Sequence, residues 1–102
     1  MKIIEKLCDY IDEEICDAEK YAKCAHTHKE DHPDLSKTFI NLAESELDHM
    51  NKLHGEVRSL ISEYRRTYGE PPEPMLAVYN YLHEKSVDKA ASVQELIRRY
   101  YQ

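Results

Sequence analysis

The chain has 102 residues, a formal net charge of −6 and 33% charged residues, so it is long enough for one domain with a modest core. Sequence-independent nucleic-acid binding needs a basic face, and the acidic balance therefore argues against a nucleic-acid partner. The first residues, MKIIEKLCDY, are charged too early for the apolar centre of a signal peptide, and no apolar run approaches the ~20 residues of a membrane span. We therefore expect a cytoplasmic protein with no membrane partner.

Two breaks divide the chain into three predicted helices, at roughly residues 2–28, 33–68 and 73–101. The first break ends at Pro33, which is favourable at the first position of a helix because its missing N–H needs no partner there. The second break is Gly69 followed by Pro71 and Pro72, a usual stop after a basic last turn. No Asn-Gly turn and no alternating apolar run indicates a strand. The sequence predicts one all-α domain over residues 1–102, an antiparallel helical hairpin plus a third long helix.

Each predicted helix carries a stripe of residues at spacings of three and four, which is typical of a helix with a buried face. In helix 1 the stripe is Ile4, Leu7, Ile11, Glu14, Ala18, Tyr21 and Ala25. In helix 2 it is Leu35, Phe39, Leu42, Glu46, His49, Leu53, Glu56 or Val57, Leu60 and Tyr64, and a second apolar edge is Ile40, Ala43, Leu47, Met50, Val57 and Ile61. In helix 3 it is Met75, Tyr79, Leu82, Ser86, Ala90, Val93, Ile97 and Tyr100. Two apolar edges on helix 2 predict two packing neighbours or a partner chain.

Three polar residues, Glu14, Glu46 and His49, interrupt the stripes of helices 1 and 2. The turn between these helices centres near residue 30, and Glu14 and Glu46 lie 16 residues before and after it. Equal rise per residue in both helices then places the two carboxylates at the same height. His49 follows Glu46 by three residues and shares its face. The sequence therefore predicts that all three side chains meet in one buried seam.

Buried carboxylates repel each other unless they are protonated, paired or bound to a cation. A buried ion pair between Glu46 and His49, with Glu14 reaching solvent, is one solution. A divalent ion is the other, because carboxylates with an imidazole suit iron, manganese or zinc. Di-iron bundles use a lone Glu from each of two helices and Glu-x-x-His from each of two others. This chain supplies half of that set, and the matching height in helix 3, residues 91–95, has no Glu-x-x-His. A second copy is needed to complete the site.

These residues resemble the ferritin-like superfamily. Glu13-Glu14, Tyr21 and residues 43–49 (AESELDH) are similar to segments of rubrerythrins and, over roughly residues 10–65, of encapsulated ferritins. In the latter, two half-bundles form one ferroxidase centre across their interface. The resemblance implies a homodimer or higher oligomer that completes a four-helix bundle, binds two iron ions and oxidises Fe(II) with O2 or peroxide. It implies Glu14, Glu46 and His49 as ligands, Glu46 as a bridging carboxylate, and Tyr21 as a residue that positions a ligand.

Two further interpretations stay open at this point. In the first, the chain is a non-catalytic helical oligomer whose metal is structural. In the second, it is a helical interaction module without metal. Encapsulation in a protein shell is also open, although residues 96–102 continue helix 3 and show no separate docking tail. Cys8, Cys16 and Cys24 recur every eight residues and turn away from one another around a helix, so we expect reduced thiols that fill small, partly buried positions.

Overall fold

The computed structural model describes residues 2–102 as three helices joined by two short turns. They are α1 (Lys2–Thr27), α2 (Pro33–Tyr68) and α3 (Glu73–Tyr100). These bounds agree with the predicted ones to within one residue, and no residue from 2 to 102 lies in a strand, so the all-α prediction is confirmed. The molecule is a rod of 56 × 20 × 17 Å, and α2 runs its full length because 36 residues rise about 54 Å in a helix.

The two turns have the chemistry that the sequence predicted. Pro33 opens α2, with His32 at the capping position but without a side-chain cap. Gly69 ends α2 with a φ of 83°, a left-handed conformation that glycine adopts without a steric penalty. Its backbone N–H donates to the carbonyl oxygen of Arg65 at 3.0 Å, which closes the last turn.

The core between α1 and α2 keeps part of the predicted stripe of α1, namely Ile4, Ile11, Ala18 and Ala25, and uses the second apolar edge of α2. The buried residues of α1 are Ile4, Cys8, Ile11, Ile15, Ala18, Ala22 and Ala25. Those of α2 are Ser36, Ile40, Ala43, Leu47, Met50, Val57 and Ile61, which is the predicted second edge with Ser36 added. Alanines on these faces let the two helix axes approach closely, and this favours them over the bulkier stripe. Leu35 and Leu42, predicted to be buried, are 47% and 39% exposed.

The third helix packs mainly against α1 and touches α2 much less. Its stripe is the predicted one, since Ala90 and Val93 join the main core and Tyr100 closes a smaller cluster at the other end. The Ser86 hydroxyl lies 3.3 Å from the Asp12 carboxylate, and the Lys89 ammonium lies 2.8 Å from the Cys16 sulfur. Each helical residue turns the chain by about 100°, so these contacts place α3 on the side of α1 away from Glu14.

The last turns of α3 are held against the turn that joins α1 to α2. The imidazole Nε2 of His26 lies 2.6 Å from the carbonyl oxygen of Leu96, and the ammonium of Lys29 donates to the carbonyl oxygen of Tyr100. The buried Ser36 hydroxyl donates to the carbonyl oxygen of Ala25 at 2.5 Å and lies 3.1 Å from the Tyr100 hydroxyl.

Within residues 2–102, no helix is both long enough and apolar enough to cross a bilayer.

Candidate metal centre

Glu14, Glu46 and His49 lie together on the side of the hairpin that α3 does not cover. One donor atom from each residue lies within 4.8 Å of the others. His49 Nδ1 is 3.5 Å from Glu14 Oε2 and 3.6 Å from Glu46 Oε1. The antiparallel hairpin therefore brings the lone Glu of α1 to the height of the Glu-x-x-His of α2.

The local sequence fixes where these side chains stand. Ile15 and Leu47, which follow Glu14 and Glu46, point into the core. Each Glu is rotated by about 100° from its buried neighbour, so both carboxylates reach the rim of the α1–α2 contact rather than its centre.

The prediction of a fully buried seam is wrong for the single chain. The side chains of Glu14 and Glu46 are 26% and 18% exposed, and His49 is 52% exposed. On α2 the core uses the second apolar edge, which leaves Glu46 and His49 at its border. On α1 the buried position at this level is that of Ile15 rather than Glu14.

The carboxyl groups of Glu14 and Glu46 interact unfavourably when both are ionised. Oε2 of Glu14 is buried and has no hydrogen-bond partner. A hydrogen bond with the Glu14 carboxyl, then burial and the Glu14 charge, raise the pKa of Glu46 from 4.5 to about 7, and the nearby His49 opposes the rise. Two carboxyl groups this close tend to share one proton, or they require a cation to hold both ionised.

Tyr21 does not contact the three donors through its hydroxyl, which makes no hydrogen bond with any residue of the 2–102 range. Its ring stacks instead on Phe39 of α2, with ring centroids 6.2 Å apart and planes 20° apart. In the single chain Tyr21 therefore joins the two helices on the face that carries the site. Its predicted role in positioning a ligand stays a prediction.

The acidic residues around the site mostly have other partners. Asp17 lies 4.0 Å from the Lys20 ammonium. Asp48 lies 3.2 Å from the Lys52 ammonium, and Glu44 accepts a hydrogen bond from the Tyr101 hydroxyl at the end of α3.

The three donors suit a metal ion in number and in type. Two carboxylates and one imidazole match the ligands of iron, manganese and zinc. Glu14 Oε2, buried without a donor, is the atom that an ion would satisfy. Among residues 2–102 this is the only group in which three such donors converge within that distance. No residue of α3 belongs to this group.

A second polar contact, between His54 of α2 and His83 of α3, was missed from the sequence. The two ring nitrogens, Nε2 of His54 and Nδ1 of His83, are 2.8 Å apart. A signal was present, because His54 lies in the α2 series Met50–His54–Val57 at the same spacing as the buried residues.

No protein-family model, no curated protein and no solved structure matches this chain. The ferritin-like resemblance therefore stays an expectation from the sequence motifs quoted above.

Proposed function

We propose that the chain is a ferroxidase-like protein of ferritin-like type, in which two copies complete a di-iron site. The observation that supports it is the meeting of Glu14, Glu46 and His49 donors within 4.8 Å, with one buried carboxylate oxygen left without a partner. A homodimer doubles this set to four carboxylates and two imidazoles, and four negative charges balance two Fe(II) ions.

The surface around the donors supports a second copy as the partner. We call it the open face: the exposed apolar residues that follow the helical rows of Glu14 and Glu46. They are Ile3, Tyr10, Leu35 and Leu42. Apolar side chains that flank a charged centre on both helices are what a self-complementary interface requires. Pairing two open faces would give a four-helix bundle and would bury the rim.

The side chains divide the chemistry among them. Glu14 and Glu46 supply negative charge and hard oxygen donors, and His49 offers a ring nitrogen when it is neutral. In the dimer, the apolar residues of the open face would exclude water from the site, which strengthens the attraction between the carboxylates and a cation. Iron, once bound, supplies the electron that O2 or peroxide accepts as Fe(II) becomes Fe(III). Manganese and zinc are the alternative occupants.

Anaerobic Fe(II) titration of the metal-free protein tests this proposal. We expect about one Fe(II) per chain, binding abolished in Glu46→Ala and weakened in Glu14→Ala, and oxidation under air faster than in buffer alone. Glu13→Ala is the matched control, since Glu13 is exposed, adjacent and outside the donor group.

Other outcomes identify the competing functions. Iron that binds in a Glu46-dependent way but oxidises at the buffer rate indicates a structural ion that stabilises the oligomer. A chain that binds no iron, manganese or zinc is a helical interaction module, and a monomer that binds iron fully contradicts the shared site.

A further inference from the structure

The contact between His54 and His83 joins α2 to α3 with two imidazoles that the proposed iron site does not use. The ring planes are 6° apart and the ring centroids 4.5 Å apart. The 2.8 Å contact between the nitrogens is a hydrogen bond in which one neutral ring donates and the other accepts. Both side chains are half-buried.

Each helix contributes one potential metal ligand to this region. Cys8 belongs to the buried series of α1, and His54 lies between Met50 and Val57 in that of α2. His83 lies beside Leu82 at the edge of the α3 stripe. Two half-buried imidazoles at the border of a core need hydrogen-bond partners, which apolar side chains there would not need.

A small cavity connects the three side chains. Its walls are Cys8, Ile11, His54, Val57, Tyr79, Leu82, His83 and Ser86. The volume of this cavity is about 10 Å³, which is room for one water molecule or one ion. A wider cavity of about 220 Å³ is also lined by both imidazoles and is partly open to solvent. An ion therefore has a path to the pair.

The surroundings of His54 favour its neutral ring, which offers a nitrogen lone pair to a metal ion. Burial lowers the pKa of His54, and His83 and Arg58 lower it further. Burial raises the pKa of the Cys8 thiol, with Asp12, Asp9 and Glu5 adding to the rise. Arg58 repels a cation, whereas the three acidic residues near Cys8 attract one.

We propose that His54, His83 and Cys8 form a second metal site, for a borderline or soft ion such as Zn²⁺ or Cu⁺, within a single chain. Imidazole and thiolate are the ligands such ions prefer, and three protein donors leave a fourth position open. The ring that donates the hydrogen bond would change tautomer and keep its proton on its other nitrogen, so that both facing nitrogens could bind the ion. The Cys8 S–H would ionise and release its proton to solvent.

The thiol is the donor that has to move. Only the Glu14 group brings three donor atoms within 4.8 Å in residues 2–102, so the proposed site requires the Cys8 sulfur to move closer to the imidazoles, by rotation about its χ1 bond, when the ion binds. The two sites are chemically distinct, because the open face offers mainly hard oxygen donors and this one offers nitrogen and sulfur.

Titration of the reduced, metal-free protein with Co²⁺, a spectroscopic substitute for Zn²⁺, tests the proposal. In Glu46→Ala, where the first site is disabled, we expect about one Co²⁺ per chain with a sulfur-to-cobalt charge-transfer band, release of a proton, and displacement by Zn²⁺. His54→Gln and His83→Gln should each weaken binding at least tenfold, and Cys8→Ser should abolish the charge-transfer band. His28→Gln, which changes a histidine in the first turn, is the matched control and should have no effect.

Helicity and urea unfolding of each variant show whether the fold is retained. The site is refuted if folded Glu46→Ala binds no Co²⁺ and no Zn²⁺, or if the two His→Gln variants bind as tightly as their parent. A cobalt spectrum without the charge-transfer band removes Cys8 from the ligand set. Failure here leaves the iron proposal intact, since that proposal is tested by Glu46-dependent Fe(II) binding.

Discussion

Oε2 of Glu14 and Nδ1 of His49 lie 3.5 Å apart, across the contact between α1 and α2. This separation is at the limit of a hydrogen bond, and the carboxylate oxygen is otherwise buried without a partner. A protonated His49 satisfies it only as a loose ion pair, whereas a cation that both atoms ligate satisfies it fully.

The metal-free protein is expected to lose stability as pH rises through neutrality. The pKa of Glu46 is about 7 in the folded chain against an ordinary value of 4.5, so the folded state holds a proton that the unfolded state has released. The stabilising contribution is complete below 4.5 and is lost as pH rises through about 7, on the order of 1–3 kcal/mol. Urea unfolding in chelator at about pH 5 and about pH 8 measures it.

Glu46→Gln is the matched variant for this effect and should flatten the dependence. His54 acts in the opposite direction, since its lowered pKa gives a contribution that is present above the ordinary 6.5 and is lost at lower pH. The two effects are separated by comparing the wild type with Glu46→Gln at each pH. Equal slopes for both proteins would contradict the assignment to Glu46.

Metal binding should raise stability by mass action. At a free Fe(II) or Mn(II) concentration about 100-fold above the dissociation constant, the gain is about 2.7 kcal/mol when the unfolded chain does not bind. Anaerobic thermal unfolding with and without metal measures it. Glu46→Ala should show no gain, and a gain of equal size in that variant would place the ion elsewhere.

A charge introduced at Leu42 should separate the two copies. Leu42 is exposed in the single chain but lies one turn before Glu46 on the open face, so Leu42→Asp places a charge inside the proposed interface without disturbing the core. Sedimentation should show a folded monomer that has lost its Fe(II). Tyr81→Asp, at an exposed position of α3, is the control and should leave assembly unchanged.

Ile15 and Leu42 should differ sharply when each is shortened to alanine. Ile15 is fully buried between the helices, and its truncation should cost about 2–5 kcal/mol through lost burial and a residual cavity. Leu42→Ala should cost less than about 1 kcal/mol under conditions that keep the chain monomeric. Urea unfolding of both variants decides which stripe is the core, and similar costs would contradict the packing seen here.

The helix bounds were predictable from the sequence because Pro33 and Gly69 set them by local backbone chemistry. The meeting of Glu14 with Glu46 was also predictable, since helical rise depends on residue count alone. The core face of α2 was not, because two apolar stripes lie side by side on that helix. Spacing does not tell them apart, and the choice depends on which face allows α1 and α2 to approach more closely.

The pairing of His54 with His83 needed information that a single helix does not carry. Seen alone, each is one histidine among six in the chain. Their contact depends on the rotation of α3 about its axis and on its position against α1, both set by Ala90 and Val93 far along the helix. Once the core stripe is known, His54 is recognisable as a polar residue within the Met50–Val57 part of it.

The uneven attachment of α3 gives the molecule a gradient of local opening. The buried residues of this helix, Ala90, Val93 and Tyr100, lie in its second half. The same half is hydrogen-bonded to the end of α1 and to the turn between α1 and α2. Val78 and Tyr81, in the first half, face outward. Thermal fluctuations should therefore separate α3 from the other helices first at its N-terminal end, next to Gly69. Amide hydrogens early in α3 should then exchange with solvent sooner than those near its end.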